Sequence, residues 1–104
     1  LPTGIYYPHK SAQLIDEKTA GTIADMMHNN VIETYGQDRF PGMDICAKSG
    51  TAEVGADQKP HAWFAGFVRE AEHPYAFVVL VENGGSGSQA AGDVAAAVLS
   101  AAVG

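Results

Sequence analysis

The chain has 104 residues, 46% of them apolar and 17% charged, which excludes intrinsic disorder and fits one domain or part of one. Its formal net charge is −6 and its isoelectric point is near 4.9, so no basic surface exists to neutralise nucleic-acid phosphates or an anionic membrane. The single cysteine, Cys46, excludes an internal disulfide and a multi-cysteine metal centre, and no apolar run is long enough to span a bilayer.

The opening stretch "LPTGIYYPHKSAQLI" carries two prolines and no helical period, which predicts an extended leading segment that is not a secretion signal. A helix is expected over about residues 17–34, N-capped by Asp16 and stopped by Gly36. Ala20, Ile23, Ala24, Met27 and Val31 share one of its faces, while Met26, Met27 and His28 read as core edge and surface. "GQDRFPG" turns the chain into a strand, "MDICAKS", and "TAEVGADQKP" is a loop whose start can prolong it. "HAWFAGFV" and "YAFVVLVE" read as strands of a hairpin joined through "REAEHP". "NGGSGS" then breaks the chain before a last helix from residue 89 to about 103, with Ser86 and Gln89 at the spacing of a capping box.

Both alternating sets of the two hairpin strands are largely apolar, which predicts a sheet covered on both faces. The last helix, "QAAGDVAAAVLSAAV", is apolar nearly all round, a pattern that normally means burial. Three strands and two helices are too few to satisfy both demands. The sequence therefore predicts an α/β chain of the α+β type: an antiparallel sheet of at least three strands, an N-terminal helix, a C-terminal helix packed on the sheet, and part of a larger core.

Three motif readings are weak. "GMDICAKS" (residues 42–49) approaches a phosphate loop, but Ala47 replaces the second glycine and a strand replaces the required turn. Gly85, Gly87 and Ala90 fit a dinucleotide fingerprint, yet no second parallel strand follows to bind a ribose. Cys46 lies mid-strand among apolar neighbours, a setting for a packed thiol rather than a nucleophile. His9, His28, His61 and His73 show no ligand spacing with one another, so neither a metal nor another cofactor is expected.

Lys48-Ser49-Gly50-Thr51 remains. Strand alternation sets Lys48 and Ser49 on opposite faces, so both can serve one ligand only along the strand's edge. Gly50 would let another backbone approach that edge, where unpaired N–H and C=O groups suit an extended peptide. Lysine supplies positive field and the hydroxyls can donate to a carboxylate. From these four residues alone, an ordinary strand end with a solvated lysine is the simpler account.

The order "KSGTAE", "KPHAWFAGF", "PYAFVVLVENGGSGS" and an alanine-rich helix, from about residue 43 to the end, resembles the C-terminal part of penicillin-binding protein transpeptidase domains. That family carries S-x-x-K, S-D-N and K-T-G motifs, and only the third is matched here, with serine in its middle. The resemblance implies a serine acyl-enzyme that cross-links peptidoglycan at D-Ala-D-Ala and is trapped by β-lactams. Carried over to this sequence, Lys48 would polarise the serine of the second motif and hold positive potential. Ser49, Gly50 and Thr51 would bind the stem peptide or drug carboxylate, and the Thr51 N–H would give half of the oxyanion hole.

None of Ser11, Ser49, Ser86, Ser88 and Ser100 begins S-x-x-K or S-x-N. The resemblance thus implies that residues 1–104 are the C-terminal segment of one transpeptidase domain, incomplete at its N-terminal side and inactive alone. Its partners would be a stem peptide or β-lactam, and either the missing N-terminal part or another copy of the chain, with no nucleic acid. The parent would act on the extracytoplasmic face of a bacterial membrane, anchored by a segment not in this chain. A related serine β-lactamase or D,D-carboxypeptidase shares the same triad; "TAE" and the strands after it look more like the transpeptidases. The alternative from another class is a non-catalytic strand-edge module that binds peptide carboxylates.

Overall fold

The computed structural model describes Gly4, Ile5 and residues 7–104. The expected extended lead-in falls partly on residues 1–3 and 6, outside the described residues; its described part is exposed and forms neither helix nor strand.

Helix α1 spans Glu17–Asn30, and the Asp16 carboxylate accepts the Thr19 N–H at 2.6 Å, as an N-cap should. Hydrogen bonding from the Thr19 side chain, and then from its N–H, holds the Asp16 carboxyl below its ordinary pKa. The expected helical run to residue 34 is present in extent but not in kind. Val31–Tyr35 form a π-helical turn, closed by Gly36 N–H donating to the Val31 carbonyl at 2.8 Å. The β-branched residues of "VIETY" weaken the α form there, and Gly36, at φ 98°, ends the run. The wider turn sends both Val31 and Tyr35 into the core, whereas α1 itself buries no residue.

Strands β1 (Ile45–Ala52), β2 (His61–Val68) and β3 (Ala76–Val81) form one antiparallel sheet in that order. β1 starts two residues later than the sequence suggests and runs through Thr51 and Ala52. Ser49 lies opposite Phe64 and Gly50 opposite Trp63, which in turn faces Leu80. Phe64 is the hub of the core. It stacks on Phe40 and Phe77 at 6.1 Å and meets Tyr35 edge-on at 5.2 Å.

After β3, Ser86 accepts the Gln89 N–H at 3.4 Å, one half of the expected capping box. A π-helical turn over Gly87–Ala91 leads into α2 (Gly92–Val103), so the last helix begins irregularly where a regular one is expected. Ala91, Ala95 and Leu99 pack on the Phe64 face of the sheet. Arg39 ties the helix start to the loop before β1, donating to the Ser88 carbonyl at 2.9 Å and to Asp93 at 2.6 Å.

The apolar demand of the two faces is met on one only, as expected of three strands and two helices. The Phe64 face is covered, but on the other Trp63 is 38%, Leu80 42% and Val78 67% exposed. Likewise α2 leaves Val98 58% exposed. Within these residues one helix and the segment around Tyr35 and Phe40 supply enough apolar surface for one face only.

Cys46 is fully buried, as expected of a packing thiol, and burial raises its pKa. Because its folded value lies above the ordinary 9.0, its contribution to stability is complete below that pH and is lost as pH rises further. Thiol-specific reagents should therefore modify Cys46 only as fast as the protein opens, read as modification and loss of structure on one time course.

Candidate active site

In an antiparallel edge strand, alternate residues turn both backbone groups away from the partner strand. On β1 these residues are Ile45, Ala47, Ser49 and Thr51. His28 meets the Ile45 carbonyl at 3.1 Å, Asn30 donates to the Ala47 carbonyl at 3.1 Å, and Ser49 N–H donates to the Tyr35 hydroxyl at 2.9 Å. The end of α1 and its π-helical turn thus cap the first half of the edge. The capping stops at Ser49. By the same alternation the N–H of the exposed Thr51 points outward beyond it.

The four singled-out residues stand together at this transition. Lys48 is exposed, on the uncovered face with Trp63 and Val78, and its Nζ donates to the Ser49 carbonyl at 2.7 Å. Ser49 and Thr51 share the opposite, helix-covered face. The Ser49 hydroxyl is 3.0 Å from that of Tyr35, and Thr51 Oγ1 accepts the Gly87 N–H at 3.2 Å. A Cβ added at Gly50 would meet only Trp63 Cβ, at 3.5 Å, so nothing among the described residues demands a glycine there. Gly87 is different: a Cβ on it would run into the Gly50 carbonyl oxygen and lie 2.8 Å from that of Trp63. The turn into the last helix therefore rests on the strand backbones beside Gly50, which is the physical reason for this glycine in "NGGSGS".

A second group escaped the sequence reading. His28, Asp44 and Cys46 place one donor atom each within 4.8 Å of one another, an assembly that the spacing between histidines could not reveal. Here His28 is half-buried, within the core edge and surface expected of it, and caps the strand edge. Its Nδ1 lies 3.1 Å from Asp44, whose carboxylate also meets Arg69 at 3.3 Å. Arg69 in turn binds Asp25 at 2.9 Å, and these carboxylates hold the guanidinium firmly charged. The cluster already contains its cation and serves to fasten α1 to β1. Tyr35 was also missed, since no motif marks a tyrosine fourteen residues before its partner Ser49.

Residues 5–103 match the family model described as the penicillin binding protein transpeptidase domain. The peptidoglycan D,D-transpeptidase PbpA of Mycolicibacterium smegmatis is 33% identical over 93 residues, covering 86% of this chain and 19% of that protein. PbpA of Mycobacterium tuberculosis is 31% identical over 106 residues, covering 99% of this chain and 21% of that protein. The chain thus spans about a fifth of the length of these curated relatives.

Among solved structures, the imipenem acyl-enzyme complex of penicillin-binding protein A from M. tuberculosis superposes with a TM-score of 0.74 at 32% identity, covering 92% of this chain and 22% of that one. The D,D-transpeptidase domain of a peptidoglycan glycosyltransferase from Eggerthella lenta gives 0.75 at 29% identity, covering 97% and 24%. The mixed architecture of a three-stranded antiparallel sheet with two helices is that of these neighbours. With the family model matched along almost the whole described chain, this protein belongs to the penicillin-binding protein transpeptidase domain family.

Proposed function

We propose that this chain is the C-terminal segment of a D-alanyl-D-alanine transpeptidase domain and supplies one wall of its active site. The observation that carries the reading is the half-capped edge of β1. Its first outward groups are taken by α1 and Tyr35, and its last, at Thr51, are left beside a lysine and two hydroxyls. An extended peptide can pair with such an edge and set its carboxylate against the hydroxyls. Lys48 lends positive field, and the outward Thr51 N–H suits one half of an oxyanion hole. The attacking serine and the other half of the hole come from a segment outside these residues, since no S-x-x-K occurs in them.

That segment also has an apolar surface to cover. The uncovered face carries Trp63, Val78 and Leu80 beside Lys48, so one partner can bury the face and present the nucleophile. We assign this place to the remainder of the same domain. The substrate is a peptidoglycan stem peptide, and β-lactams take its place; the M. tuberculosis relative forms an acyl-enzyme with imipenem. No helix of the described residues is long and apolar enough to cross a membrane. Action on the extracytoplasmic side of the bacterial membrane is part of the proposal, with anchoring assigned to another segment.

Gly50→Ala tests the reading. The protein has room for the methyl, so the full-length variant should keep its thermal midpoint within about 2 °C. An approaching strand has no such room, and fluorescent-penicillin labelling should slow by about 10-fold or more, as loss of a charge-assisted contact would do. Wild-type labelling rates in the variant would count against an edge-bound substrate.

A further inference from the structure

We infer that Tyr35 is a positioning residue that turns the Ser49 hydroxyl into a dedicated hydrogen-bond donor; the inference rests on the transpeptidase reading above. An amide N–H can only donate, so Tyr35 Oη is the acceptor in its 2.9 Å contact with Ser49 N–H. Either hydroxyl has a proton to supply the 3.0 Å contact between them. The phenol is the more acidic O–H, and its oxygen already accepts from the amide, so Tyr35 donates to Ser49 Oγ. The proton of Ser49 Oγ is thereby left for a group outside the chain, and the partner that suits a lone donor is a carboxylate.

Two further observations agree. Thr51, two residues along the same face, is set the same way, because its Oγ1 accepts the Gly87 N–H at 3.2 Å. Both hydroxyls receive a bond from the protein and each retains a proton to give. Tyr35 is also held still: the residue is 9% exposed, its ring lies edge-on to Phe64, and its carbonyl accepts from Arg39 at 3.4 Å. A residue held on ring, hydroxyl and backbone can fix the Ser49 rotamer before substrate arrives, which limits the ordering cost of binding.

The test uses the full-length protein and two probes, a fluorescent penicillin with its free carboxylate and the same compound as its methyl ester. Tyr35→Phe should slow acylation by the acid about 10-fold, the worth of a hydrogen bond to a charged group, and leave the ester rate unchanged. In a Ser49→Ala background Tyr35→Phe should add nothing further, because the tyrosine acts through that hydroxyl. If Tyr35→Phe does not fold, 3-fluorotyrosine at position 35, which keeps the hydroxyl, should retain the wild-type preference for acid over ester. Equal slowing of acid and ester, additive losses in the double variant, or loss of the preference with fluorotyrosine would each overturn the assignment. A wild-type protein that neither probe acylates would overturn the transpeptidase reading as well, whereas acylation that depends on Ser49 but not on Tyr35 would overturn this inference alone.

Discussion

Gly87→Ala is expected to destabilise the full-length protein by about 3 kcal/mol, the upper part of the range for overpacking a filled site. The added methyl would strike the Gly50 carbonyl and crowd that of Trp63, both of them main-chain atoms locked into the sheet. A side chain could rotate away; these cannot. Relief requires lifting the turn before α2 off the strands, which would break the Gly87 N–H bond to Thr51 and loosen Ala91 and Ala95 in the core. The variant should therefore lose both thermal midpoint and penicillin acylation. Calorimetry and labelling on the same sample check it, and an unchanged midpoint would show that the helix does not rest on the strand at Gly50.

Lys48→Ala is expected to do the reverse, removing chemistry and sparing the fold. Lys48 is exposed, and its bond reaches only the carbonyl of the next residue, so an exposed change of this kind should leave stability within about 0.5 kcal/mol. Acylation should fall by about 100- to 1000-fold, the loss seen when one preorganised electrostatic group is removed from an acyl-transfer site. Lys48→Arg should recover only part of the rate. It keeps the charge but replaces a compact ammonium with a broad planar fork. Labelling of Lys48→Ala at the wild-type rate would return the lysine to the status of a solvated strand end.

The legible parts of this molecule were those that repeat at a period or sit at a cap. Asp16, Gly36 and Ser86 announce helix ends through local chemistry, and the three strands follow from runs of apolar and β-branched residues. The edge character of Lys48 to Thr51 followed from alternation and one glycine. What stayed hidden depends on contacts between distant segments. Nothing local in "VIETY" says that the turn will widen and deliver Tyr35 to Ser49. The assembly of His28, Asp44, Cys46 and Arg69 likewise joins residues from a helix, a loop and two strand ends.

Apolarity on both faces of the sheet was legible as well, but it reports what a surface needs, not what covers it. The exposed Trp63, Val78 and Leu80 show that need left unmet within these residues. The relatives are about five times longer than the chain, which is the setting in which a further segment could meet it. One physical demand thus joins two observations, an uncovered face and a Lys48–Thr51 edge with no S-x-x-K serine among residues 1–104.

The most direct measurement is the position of the acyl adduct. Full-length protein treated with a penicillin, digested and mapped by mass spectrometry should carry one penicilloyl group, on a serine outside residues 1–104. The 104-residue chain treated alone should carry none. An adduct on Ser11, Ser49, Ser86, Ser88 or Ser100, or none on the full-length protein, would contradict the account of this chain as the binding and polarising wall of a cleft whose nucleophile lies elsewhere.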